Sequence, residues 1–324
     1  MPVTAIESDP ENLTMSVVAD FPVPLTRLWD AYSDPRQLES FWGPPTYPAT
    51  FVRHDFAPGG RSEYVMTGPE GDAHRGYWEW VSVDPLQSFE VRDGFSNADG
   101  ANNDGMPSMH MLFTFASTDA GSRVTTVTTF NSLEEMEQLV KMGMEEGTRE
   151  AMGQMDAVLA DLATFASSQP TAAQVLNDTQ VRVSRVIRGS QEQVWQAFHE
   201  PELLQRWLLG PDGWSMPVCE VALGVGDHFK YEWRNDETGD GFGMTGELLE
   251  SIAPTREVFT EQMVGEPYPP TMNELTLTPL DDGTLVTYII TYASTEARDA
   301  TLASGMVGGM ETSFERMEES VIGR

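Results

Sequence analysis

Apolar residues recur at helical spacing in two stretches that lie far apart in the chain. Around KMGMEEGTREAMGQMDAVLADL (Lys141–Leu162), Val140, Met144, Thr148, Met152, Met155 and Leu159 follow one another at steps of four and three. That is the period of a helix with one buried face. Leu302, Met306, Met310, Phe314, Met317 and Val321 repeat the series, each 162 positions later. The pattern predicts one long helix near the end of each half. Glycine stands inside both, as Gly143 and Gly147 in the first and Gly305, Gly308 and Gly309 in the second. A glycine in a helix interior costs about 0.5–1 kcal/mol relative to alanine. Its return at matched positions implies close approach to a sheet, or room left for something else.

Between these helices the pattern is one of short strands. Thr14–Phe21 alternates. Pro24 then opens a short helix with Leu25, Leu28, Trp29 and Tyr32 on one face, and Asp34-Pro35 ends it. RQLESFWGP follows as a second helical turn. Strands are expected at Ala49–Phe56, Arg61–Met66, Gly76–Val83, Ser88–Asp93, Ser108–Phe115 and Arg123–Phe130, with a capping box at Ser132-x-x-Glu135 before the helix. Ala166–Asp178 reads as a linker, and the order then restarts. Thr179–Ile187 is a strand, and Ser190-x-x-Gln193 caps a short helix broken at Glu200-Pro201. Strands follow at Met216–Val221, His228–Arg234, Gly243–Ser251, Glu257–Val264, Met272–Pro279 and Thr284–Tyr292, with turns that include Asp281–Gly283.

Trp29 matches Trp195, Asp34-Pro35 matches Glu200-Pro201, and Gly60 matches Gly226. Trp42-Gly43-Pro44 is paired with the stretch that begins at Trp207. The chain is therefore an internal repeat, and the loop Phe95–Pro107 absorbs the extra residues of the first copy. Each copy reads β-α-α-β6-α. Strands joined by short turns imply antiparallel pairing, so the fold class is α+β: two tandem helix-grip domains, each a curved antiparallel sheet wrapped around a long C-terminal helix. The expected boundaries are a loose arm over 1–13, a first domain over 14–165, a linker over 166–178 and a second domain over 179–324.

Composition narrows the function. The net charge of −32 repels phosphate backbones and anionic membranes, which argues against nucleic acid as a partner. No apolar run is long enough to span a bilayer, and the N-terminus lacks a secretory signal. A cytoplasmic location is the expectation. Cys219 is the single cysteine, which excludes an internal disulfide framework and a four-cysteine zinc site. His54, His74, His110, His199 and His228 show no helical i, i+4 pair and no HExxH motif, so no metal and no cofactor is expected. There is no GxSxG elbow. GVGDHFK (Gly224–Lys230) lacks the ending and context of a phosphate loop. No catalytic residue emerges.

LWDAYSDP…FWGP, then PGG, a run of strands and GMEEGTREAMGQMDAVL, resemble the activator-of-Hsp90-ATPase-like group. That group lies within the START/polyketide-cyclase (SRPBCC) superfamily of helix-grip proteins. VWQAFHEPELLQRWLLGP…GVGDHF…GMVGGMETSFERMEESV resembles it again. The resemblance covers nearly the whole chain and implies a cavity between sheet and helix. Residues expected to line or rim it are Trp42, Tyr64, Trp78, His110 and Met144 in the first copy. In the second they are Trp207, Tyr231, Trp233, Met244, Met306 and Met310. Arg53, Glu63, Glu232, Arg234 and Gln262 are further polar handles. Such a set predicts binding of a hydrophobic small molecule. The alternatives are a protein-interaction or co-chaperone-type regulator, as the family name suggests, and a cyclase- or dehydratase-type enzyme. The last would need a polar dyad facing the cavity, and none stands out by spacing.

Overall fold

The computed structural model of the protein describes residues 2–165, 170–210, 213–265, 269–280 and 283–323, and only the backbone of 161–165. It divides into two units, 1–165 and 166–324. The first runs β1 (Val3–Asp9), β2 (Thr14–Phe21), α1 (Leu25–Ser33), α2 (Pro35–Leu38), β3 (Ala49–His54), β4 (Arg61–Thr67), β5 (Ala73–Asp84), β6 (Ser88–Phe95), β7 (Met109–Thr118), β8 (Gly121–Phe130), α3 (Leu133–Lys141) and α4 (Met144–Phe165). The second repeats the order as β9 (Ala172–Val175), β10 (Gln180–Ile187), α5 (Gln191–His199), α6 (Pro201–Trp207), β11 (Trp214–Glu220), β12 (His228–Asn235), β13 (Gly241–Ile252), β14 (Arg256–Met263), β15 (Thr271–Leu280), β16 (Gly283–Thr291), α7 (Thr295–Ala303) and α8 (Met306–Met317). A π-helical turn at Glu318–Ile322 continues α8.

Each unit forms one eight-stranded antiparallel sheet, in the order β1-β2-β8-β7-β6-β5-β4-β3 and β11-β12-β13-β14-β15-β16-β10-β9. The α+β helix-grip reading holds, with one strand more per unit than the pattern suggested. The arm is strand β1, paired along β2 from Val3 to Asp9. Part of the linker is strand β9, paired with β10. Both are edge strands with little burial, so neither carries strong alternation. Residues 166–169 of the linker and the expected turn residues 281 and 282 lie outside the described residues. Burial alternates along β2, with Met15, Val17, Ala19 and Phe21 directed into the core. None of the helices described is long and apolar enough to cross a membrane.

The long helices are broken, which corrects the continuous helix expected from periodicity. α3 ends before Met142-Gly143, and α7 ends before Ser304-Gly305. Gly143 and Gly305 have φ of +91° and +88°, the left-handed region that L-residues enter at a cost of about 1–2 kcal/mol. This accounts for glycine at both sites. The buried face does not run straight across the breaks: Val140 is exposed while α3 buries Met136 and Leu139 instead, and α7 has no fully buried residue. Gly305→Ala is accordingly expected to lower stability by about 1 kcal/mol. Gly147→Ala, within α4 and with open space around the added carbon, should raise it by about 0.5–1 kcal/mol. Urea midpoints of the two variants test this. Stabilisation by Gly305→Ala would restore the continuous helix.

Candidate functional site

The concave face of each sheet, covered by its helices, carries the repeat's most informative differences. Strand neighbours in register share a face, so equivalent positions can be read along each strand. In the first unit Trp78, sixth residue of β5, pairs with Ser62 on β4 and with Asp93, sixth residue of β6. The indole N–H of Trp78 donates to Asp93 Oδ2 at 3.0 Å, and the Tyr64 hydroxyl lies 3.5 Å from the same oxygen. Trp78 is 0 % exposed, Asp93 6 % and Tyr64 8 %. Trp42 packs edge-on against Trp78 at 4.5 Å and against Tyr64 at 6.3 Å. Burial pushes the Asp93 carboxyl up to about 7, against the hydrogen bonds from Trp78 and Tyr64, which favour its charged form. Phe89, Phe113, Tyr32 and Met155 complete one continuous, filled core.

The second unit keeps the carboxyl and the tyrosine but changes their surroundings. Glu261 is the sixth residue of β14, as Asp93 is of β6. Tyr231 is the fourth of β12, as Tyr64 is of β4. Gly246 takes the place of Trp78, and its partner Phe229 takes the place of Ser62. The bulk has crossed from one strand of the pair to the other, since the Phe229 ring lies where a side chain on Gly246 would begin. Phenylalanine has no N–H to donate. Glu261 keeps partial access to water, desolvation alone pushes it up to about 7, and no side chain among the described residues donates a hydrogen bond to it. Tyr231, Tyr288 and Tyr292 share its face. Their hydroxyl pKa values are raised, by burial first; the carboxylate of Glu261 adds to this in each case, after the Cys219 thiol for Tyr231.

Accessibility separates the units. Tyr64, Gly76, Trp78, Val91, Asp93 and Thr126 are buried, whereas their equivalents Tyr231, Met244, Gly246, Phe259, Glu261 and Tyr288 are partly accessible to water. Among the described residues the buried apolar core of the second unit falls into three clusters, with Tyr231, Phe259, Tyr288 and Met310 each bordering two of them.

With this geometry in place, the chain can be set beside known proteins. The model of the family described as activator of Hsp90 ATPase homolog 1-like protein matches residues 22–160 and 188–321, one segment in each unit. The chain belongs to this family. Among solved structures, one from Mycobacterium smegmatis is 46% identical, covering 49% of this chain and 97% of its own, with a TM-score of 0.46. One from Arthrobacter aurescens is 42% identical over 49% of this chain and 92% of its own, with a TM-score of 0.48. No curated protein matches the chain.

Within this Hsp90-activator-like pair of units, the expected lining residues divide. Trp42, Tyr64 and Trp78 meet around Asp93, and Met144 packs against the same core. Tyr231, Met244, Met306 and Met310 lie about the accessible face, with Met306 Sδ 3.7 Å from the Tyr292 hydroxyl. Trp233 forms part of the rim, stacked on Phe242 at 4.8 Å with its N–H donating to the Leu208 carbonyl at 2.6 Å. Trp207 is core: its N–H donates to the Ala197 carbonyl and its ring stacks on Phe314. Counted from the prolines that open α2 and α6, it corresponds to Phe41, not to Trp42.

His110 faces away from the core, 3.3 Å from Glu90, because it alternates with buried Met109 and Met111. Glu63 and Glu232 pair with Arg61 and Lys230 on the outer face. Arg53 stands opposite Glu63, Arg234 is in step with Glu232, and Gln262 is out of step with Glu261. None of these five handles is on the inner face. The polar groups that do face inward, Asp93 and Glu261, escaped the sequence reading.

Two further inner groups are already occupied. His199 lies 2.9 Å from Glu257 and bonds the Trp195 carbonyl at 2.7 Å. Burial opposes its charge, yet Glu257 and that carbonyl outweigh burial and raise its pKa. Arg185 pairs with Glu311 and Glu318.

Proposed function

We propose that the second unit binds a small, predominantly apolar molecule against the inner face of its sheet, between Tyr231, Glu261 and Tyr288 below and Met306 and Met310 above. The first unit is its closed counterpart. The observation that carries this is the contrast at matched positions: the first unit fills them and excludes water, and the second leaves them partly accessible around an unpaired carboxyl. Sites of this kind combine apolar walls with few polar groups, and methionine at the roof adapts to varied shapes. Family membership supports a ligand-binding or regulatory role in general.

Native mass spectrometry of the purified chain, followed by a thermal-shift panel of hydrophobic compounds, tests the reading. A retained or added apolar compound is expected to bind the wild type. Met306→Trp should weaken it at least tenfold, about 1.4 kcal/mol, while the equivalent Met144→Trp leaves it unchanged. Absence of any ligand, or equal loss in both variants, would sink the assignment to the second unit.

A further inference from the structure

We infer that the molecule held by the second unit is an organic cation, an apolar body bearing one ammonium group that Glu261 receives among Tyr231, Tyr288 and Tyr292. This rests on the binding reading above and adds the charge of the ligand to it.

A carboxyl drawn back from water onto the inner face of a sheet is costly to charge. Such a group needs hydrogen-bond donors or a counter-charge. In the first unit Asp93 has the Trp78 N–H and the Tyr64 hydroxyl. In the second, the exchange of Ser62 and Trp78 for Phe229 and Gly246 removes the indole donor, while the acid itself stays. Glu261 is thus an inner-face acceptor, partly accessible to water, to which no side chain among the described residues donates. Two cations of the inner side are engaged by other acids: His199 by Glu257, and Arg185 by Glu311 and Glu318. Lys230 is on the outer face with Glu232.

The other titratable groups whose charges bear on this cluster are the three phenols, the Cys219 thiol and Glu257. None of them supplies a positive charge. A ligand carboxylate would meet Glu261 and Glu257 as like charges. A neutral alcohol would leave the carboxylate without a counter-charge. An ammonium supplies both donors and charge, and tyrosine rings favour a cation through their faces. Tyr231 stands on the strand two places to one side of Glu261, and Tyr288 on the strand two places to the other, with Tyr292 just past that strand's end. The net charge of −32 raises the local concentration of cations over that of anions.

The test is calorimetric titration of the full chain at pH 8 with matched probes: phenylalkylamines of graded length, the isosteric alcohols and the isosteric carboxylates. The amine is expected to bind at least tenfold more tightly than the alcohol, and the carboxylate not to bind. Glu261→Gln should bring the amine down to the level of the alcohol and leave the alcohol unchanged. Gln keeps the shape and relieves the buried charge, so the variant should fold at least as well as the wild type. Equal binding of amine and alcohol, unaffected by Glu261→Gln, would overturn the cationic assignment and leave the binding site standing. No binding of any probe, together with a ligand-free native mass spectrum, would overturn both.

Discussion

Asp93→Asn is expected to make the first unit more stable at pH 8 and to change little at pH 4. The carboxyl is held at about 7 in the folded chain, against about 3.9 in an unfolded one. Below pH 4 both states carry the proton and the group contributes nothing. As pH rises from 4 to 7 the unfolded chain releases its proton while the native one keeps it, so stability falls across that window. Above pH 7 the penalty is complete, roughly 4 kcal/mol at 1.36 kcal/mol per pH unit of separation. This is opposite in sign to an acid held by a salt bridge. Asparagine retains an oxygen to accept from Trp78 Nε1 and carries no charge to desolvate, so it removes the penalty and with it this slope. Hydrogen exchange of the β6 to β8 amides, at pH 5 and pH 8, reads the first unit separately from the second. A variant no more stable than the wild type at pH 8 would show that the native fold accommodates the carboxylate charge without penalty.

How much of this was legible in the sequence differs from feature to feature. The strands were, because each has one buried face and its side chains alternate: β2 was located to the residue, and Tyr64, Trp78 and Tyr231 were placed inside. The breaks at Gly143 and Gly305 were not. The apolar period runs through them undisturbed, and a positive φ is set by how the two helical pieces dock. Strands β1 and β9 were missed because an exposed edge strand carries little hydrophobic signal. His110 was misplaced although its own neighbours gave the answer, since Met109, Met111 and Phe113 point inward and leave it outward. The same parity would have found the acids. Phe89-x-Val91-x-Asp93 and Glu257-x-Phe259-x-Glu261 each step down one face of a strand, and each ends in a carboxyl. A lone acid in a strand ordinarily reads as the solvent side, and only the matched strand of the other repeat reveals the exception.

Trp78→Ala is expected to be the most damaging substitution in the first unit, at about 3–5 kcal/mol, because it removes both a volume and a donor. The ring is fully buried and meets Trp42, Trp80, Phe51 and Phe113 at centroid distances of 4.5, 5.5, 6.0 and 6.0 Å. Trp78→Phe separates the two roles. It keeps much of the packing and loses only the N–H that favours the charged form of Asp93. Without that donor the Asp93 pKa rises further, so the cost of Trp78→Phe should be smallest near pH 4, where the folded acid is protonated with or without the donor, and should grow towards pH 8. On an Asp93→Asn background the cost should no longer grow with pH, because there is no carboxylate left to stabilise. Hydrogen exchange of the four chains at both pH values, read through the same β6 to β8 amides, closes the cycle. A cost of Trp78→Phe that is the same at pH 4 and pH 8 would mean that the indole acts through its volume alone. The loss of its N–H at Gly246 would then say nothing about what Glu261 awaits.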